Sequence, residues 1–67
     1  MNILINGNVK VFNVANLTMA GLVAELDLVG KRLAIEKNGE IVPRSKFAEV
    51  FLQDGDKLEI VGAVGGG

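Results

Sequence analysis

Asn38-Gly39 stands between two runs of alternating residues, Arg32-Leu33-Ala34-Ile35-Glu36-Lys37 before it and Glu40-Ile41-Val42 after it. An Asn-Gly pair tolerates positive φ at both central positions of a two-residue turn, so it is the strongest short-range signal for an antiparallel hairpin. The returning strand stops at Pro43, which has no N–H to give a sheet ladder. A chain of 67 residues that commits its middle to a hairpin has room for one domain and one core.

The other segments fit around that hairpin. Asn2-Ile3-Leu4-Ile5-Asn6 runs apolar into Gly7-Asn8, a turn dipeptide, and Val9 to Val14 returns. Alternation places Ile3 and Ile5 on the core face and Leu4, with Asn2 and Asn6, on the other. In the returning strand Phe12 and Val14 are the inward pair and Asn13 points outward, unless a bulge reverses them. Thr18 suits a helix cap, and Met19, Leu22, Val23 and Leu26 then recur at helical period. Leu17 and Leu22 sit where a hydrophobic staple would form. Gly21 takes the position where Glu would complete a capping box and weakens the helix by about 1 kcal/mol relative to Ala, so the helix must rely on packing. Gly30 suits the helix exit. Ser45 is expected to cap a single turn carrying Phe47. After the turn Asp54-Gly55-Asp56, Lys57 to Val61 alternates with Leu58 and Ile60 on one face. The expectation is an α+β domain with a mixed sheet of about five strands packed on one main helix, the sheet's other face left to solvent or partners. Residues 1–62 form its body, and 63–67 a flexible glycine-rich C-terminal tail.

Composition removes whole classes of function. Seven Lys and Arg against eight Asp and Glu leave a net charge of -1, with no basic excess for binding nucleic-acid phosphates. The sequence has no Cys and no His, hence no disulfide, no thiol nucleophile and no imidazole or thiolate metal site. No apolar run is long enough to span a membrane and no secretory leader is legible, so a cytoplasmic location is expected. Ser45, Thr18 and the lysines lie in no spacing that suggests a catalytic constellation. Asp54, Asp56 and Glu59 supply too few oxygens in register for a calcium loop, and Asp-Gly-Asp reads as a tight turn. The pairs Lys31-Arg32 and Arg44/Lys46 read as solvated loop charge, with contact to an acidic partner surface as the functional alternative. Leu4, Val11 and Val61 fall on the face away from the helix and would form a partner patch if they adjoin.

The group left to carry chemistry is the carboxylate of Gly67. A carboxylate is a poor electrophile, whereas its acyl adenylate has a good leaving group that a sulfur donor can displace to give a thiocarboxylate. Such chemistry needs the terminus to enter another protein's active site. Glycines suit a narrow channel, and four extended residues reach roughly 13 Å.

Taken together, Ile3-Leu4-Ile5-Asn6-Gly7, the Thr18-capped helix, Glu36-Lys37-Asn38-Gly39-Glu40-Ile41-Val42-Pro43-Arg44-Ser45, Asp54-Gly55-Asp56-Lys57-Leu58-Glu59-Ile60-Val61 and Val64-Gly65-Gly66-Gly67 resemble the ubiquitin-like β-grasp sulfur carriers, most of all the thiamine-biosynthesis branch. The resemblance spans essentially the whole chain. It implies a β-grasp fold and a protein co-substrate that is not itself an enzyme. It implies that an E1-like adenylating enzyme uses ATP on Gly67, the carrier binding no cofactor and no metal of its own. Sulfur would arrive from a cysteine desulfurase or another donor through a partner, and thiazole synthase would receive it. Gly65 and Gly66 match the tail that threads those active sites. Two departures stand out. Gly21 replaces a better helix former, and Gly62-Ala63 leaves grip near the tail to Val61 and Val64. The same chemistry could serve another recipient: the small subunit of molybdopterin synthase, or a carrier for cysteine synthesis or tRNA thiolation. The other readings are a non-catalytic β-grasp interaction module and a protein-conjugating modifier.

Overall fold

The computed structural model describes residues 1–62. Its order is β1 (Asn2–Ile5), β2 (Asn8–Val11), α1 (Met19–Glu25), β3 (Leu33–Lys37), β4 (Glu40–Val42), a 3₁₀ turn (Arg44–Lys46) and β5 (Lys57–Gly62). The strands form one sheet ordered β2-β1-β5-β3-β4. Both hairpins are antiparallel, β5 is antiparallel to β3, and β1 and β5 run parallel. The last strand therefore fills the centre of the sheet, between the two hairpins.

The turn of the first hairpin lies one residue earlier than the sequence reading placed it. Ile5 pairs with Asn8, so Asn6-Gly7 makes the turn, with φ of 49° and 84°. Asn38-Gly39 does the same between β3 and β4, at 51° and 89°. Positive φ at both positions gives the primed turn whose twist matches the flanking strands.

Strand β2 also differs from expectation. Phe12 is buried, but the strand ends at Val11 and Val14 is exposed. Exchange of backbone hydrogen bonds between Phe12 and Met1 closes the ladder there (2.8 and 3.0 Å). The next residues leave the sheet for the helix, so alternation no longer governs Val14. All four β2 residues are exposed, as befits an edge strand.

Helix α1 spans only 7 residues, too short to be stable unpacked, and its start is fully tied down. Thr18 Oγ1 accepts from Gly21 N at 3.1 Å. Met19 N donates to Val50 O and Ala20 N to Phe47 O. The donors left orphaned in a helix's first turn are thus met by the cap and by the 47–50 segment. Leu17 and Leu22 are both buried, as the staple requires. Gly21 has a steric reason: a Cβ there would lie 3.0 Å from Leu17 Cδ1. The staple occupies the space a larger residue would need.

The helix exit falls earlier than Gly30. Asp27 adopts φ 59°, and two bonds, Asp27 N to Ala24 O and Leu28 N to Val23 O, close a Schellman motif. Gly30, at φ 86°, belongs to the following turn. Ser45 likewise lies inside the 3₁₀ turn, with Pro43 at its N-cap and no side-chain cap bond. Pro43 has the extended backbone that a cap position needs, with its φ set by the ring.

The core lies between α1 and one sheet face, with Ile3, Met19, Leu22, Ile35 and Leu58 at its centre and Phe12, Phe47 and Leu52 around them. Ile3, Ile5 and Leu58 are inward as read from alternation, and Ile60 is half-buried at the margin.

Candidate functional site

The candidate site is built on β5, the strand that leads to residues 63–67. Its sequence alternates, so Leu58 and Ile60 turn toward the helix and Lys57, Glu59 and Val61 toward the open face. At its root, the turn before it is held by its own carboxylates. Asp54 Oδ1 accepts from Asn2 N at 2.6 Å. Asp56, 8% exposed, accepts from Gln53 N at 2.8 Å and from Asn38 Nδ2 at 3.0 Å. Lys37 Nζ stands 3.8 Å from it. These contacts give the Asp-Gly-Asp segment a structural role as a turn. Among the described residues no cluster of three or more His, Cys, Asp or Glu could hold a metal ion.

Each hairpin turn lends its asparagine to β5. Asn38 N donates to Lys57 O at 2.8 Å while its Oδ1 accepts from Lys57 N at 3.0 Å. Asn6 N donates to Leu58 O at 3.0 Å. Its carboxamide then reaches Ile60, accepting from Ile60 N at 2.7 Å and donating to Ile60 O at 3.0 Å. Sequence reading placed Asn6 on the outer face of a strand. What it missed was that the Asn-Gly signal, recognised at Asn38-Gly39, also applies at Asn6-Gly7.

At the far end of β5, Val61 pairs with Ala34 and Gly62 with Leu33. Gly65, Gly66 and Gly67, and Val64 of the suggested partner surface, lie outside the described residues. Of the remaining surface residues, Leu4 lies opposite Val9, and Val11 opposite Asn2, on the β1–β2 hairpin. Val61 sits apart from them. Leu4 is level with Lys57, and Glu59 follows before Val61 is reached along β5. Glu59 is paired with Glu36, which in turn faces Ile41 on β4. Val9, Val11, Ile41 and Val61 are all more than 60% exposed, at 64%, 65%, 71% and 62%, and Lys57, Glu59 and Glu36 lie on the strands between the two outer ones. Val9 and Ile41 did not figure in the sequence reading, although alternation puts Val9 on the same face as Val11.

The two basic pairs meet through one bond, Arg44 Nη2 to Lys31 O at 2.7 Å. Lys31 and Arg44 line a cleft of about 250 Å³ together with Val23, Leu28, Leu33 and Phe47. No helix among the described residues is long and apolar enough to cross a membrane.

The family model described as "ThiS family" matches residues 3–67. The "Sulfur carrier protein ThiS" of Bacillus subtilis is 42% identical over 50 residues, covering 75% of this chain and 76% of that protein. A "Thiazole synthase" of Paramagnetospirillum magneticum is 46% identical over 67 residues; the match takes in 100% of this chain but spans only 20% of that relative's length. The crystal structure of the thiamine biosynthesis protein (ThiS) from Geobacter metallireducens superposes with a TM-score of 0.85 at 30% identity, over 100% of both chains. The five-stranded mixed sheet with one helix is thus the β-grasp arrangement of those neighbours.

Proposed function

Because the chain belongs to the ThiS family, the sulfur carriers of thiamine biosynthesis, we propose that it works in the cytoplasm as a protein co-substrate charged with sulfur at Gly67. A carboxylate oxygen of Gly67 attacks the α-phosphorus of ATP in the site of an E1-like adenylating enzyme, forming the acyl adenylate and releasing pyrophosphate. A persulfide formed by a cysteine desulfurase, or by another donor, attacks the acyl carbon and displaces AMP, giving an acyl disulfide. A thiol reductant then cleaves the S–S bond, is itself oxidised to a disulfide, and leaves the thiocarboxylate. The carrier contributes its terminus and its shape, while ATP is held and used by the partner. Gly65 and Gly66, lacking Cβ atoms, suit passage into a narrow site. Such a carrier needs no nucleophile or metal of its own, which accords with a sequence free of Cys and His.

The observation that carries this reading is the family match, which runs through β5 and on to Gly67. Thiazole synthase as the recipient is supported by the relative of that name, which contains a region matching this entire chain. The test is incubation with the cognate adenylating enzyme, ATP and a sulfur donor, followed by intact-protein mass spectrometry. The expected product is heavier by the difference between sulfur and oxygen, and a variant lacking Gly66 and Gly67 shows no gain. An unchanged mass in a reaction that charges a control carrier would overturn the proposal.

A further inference from the structure

We propose that Asn6 is a positioning residue for the carrier reaction, holding the exit of β5 so that the chain leaves the sheet in one direction. The inference rests on the carrier function proposed above. Strand β1 ends at Ile5, and Asn6 turns away at φ 49°, so no backbone of β1 remains to pair with Ile60. The Asn6 carboxamide takes that place. It meets both the N–H and the C=O of Ile60, at 2.7 and 3.0 Å, two groups that two successive peptide units of a longer β1 would otherwise meet. Only an amide supplies a donor and an acceptor in that geometry. Ile60 lies two residues before Gly62, where the described strand ends, and from there β3 provides the remaining pairing. With Asn6 on one side and β3 on the other, Ile60 is held on both edges, two residues before the described strand ends.

The bond is exposed and the residue lies outside the core, so its effect should be local. Asn38 provides the contrast, since its carboxamide is joined to the buried Asp56 and supports the fold itself. A role in positioning predicts that loss of the Asn6 amide loosens the exit and impairs productive engagement, with stability little changed.

The experiment compares Asn6→Gly and Asn6→Asp in the full chain. Glycine removes the amide while accepting the positive φ. Aspartate keeps the shape but sets a carboxylate against the Ile60 carbonyl. Amide hydrogen exchange at Ile60 should speed up roughly tenfold in Asn6→Gly, which removes the acceptor of that N–H, and less in Asn6→Asp, whose carboxylate still accepts from it, with Leu58 and Ile35 as protected as before. In pyrophosphate release by the adenylating enzyme, KM for the carrier should rise severalfold and kcat stay within about twofold. Unchanged exchange at Ile60 would remove the clamp. Faster exchange with an unchanged KM would show that the clamp does not position the exit. Uniform loss of protection across Leu58 and Ile35 in both variants would make Asn6 a residue of the fold alone, and each of these outcomes overturns the proposal. If the unaltered chain is not adenylated at all, the carrier function fails, and the exchange result still reports separately on the clamp.

Discussion

The two ends of β5 are built by opposite means. At its root, the strand is set in buried and charged contacts: Leu58 is fully buried and Asp56 nearly so, with Asn38, Gln53 and Lys37 gathered on the Asp56 carboxylate. At its exit, Val61 is 62% exposed, and exposed hydrogen bonds from Asn6 replace packing. The root anchors the strand in the core, Ile60 packs at its margin, and Val61 lies outside it. Substitutions at the root should therefore show in stability, and those toward the tip in engagement with partners.

The sharpest way to break this contrast is Leu58→Ala, which should cost about 3 kcal/mol by deleting a fully buried side chain. With three Phe and no Trp or Tyr, far-UV circular dichroism during urea unfolding is the suitable readout. Asp56→Ala should follow at about 2 kcal/mol, because it leaves the Gln53 N–H and the Asn38 amide without their acceptor. A loss below half that value would mean that water replaces the carboxylate easily and that the root is softer than described. Asn38→Ala should cost about 1 kcal/mol in the same assay, combining one lost hydrogen-bond set with a non-glycine residue at positive φ. Toward the tip, Glu59→Lys should raise stability by about 0.3 kcal/mol, since it turns a cross-strand pair of like charges with Glu36 into an opposite pair. A double-mutant cycle with Glu36→Gln measures that term. A fall in stability on Glu59→Lys would show that the pairing has no electrostatic cost.

Much of this architecture is legible in the residue pattern. The Asn38-Gly39 hairpin, the Pro43 stop, the Thr18 cap, the staple of Leu17 and Leu22 and the inward run of Ile3, Ile5 and Leu58 follow from local chemistry alone. The departures share a cause, which is that a specific contact, near or far in sequence, overrides the local pattern. Val14 is freed because Phe12 closes the ladder against Met1. Asp27 takes the left-handed exit because Leu28 and Val23 complete the motif, although aspartate gives no such signal. Gly21 reads as a weakness until Leu17 is seen filling its space. At the candidate site, β5 and its alternation were readable, whereas the amide of Asn6 on Ile60 bridges 54 positions and no local rule foretells it. The spread of Leu4, Val11 and Val61 over separate areas likewise depends on register between strands. Gly65, Gly66 and Gly67 were singled out from sequence and rest on it together with the family match.

The parallel pairing of β1 with β5, Leu4 beside Lys57, has a consequence for biosynthesis. The strand at the middle of the sheet is the last of the five to emerge from the ribosome, so the interior cannot close until β5 has been made. Contacts between such remote partners slow folding compared with local ones, and the nascent chain must wait with Ile3 and Ile35 uncovered. Maturation is thereby an all-or-none event: a truncated product that lacks β5 has no finished interior, and quality control can recognise it by its exposed apolar strands.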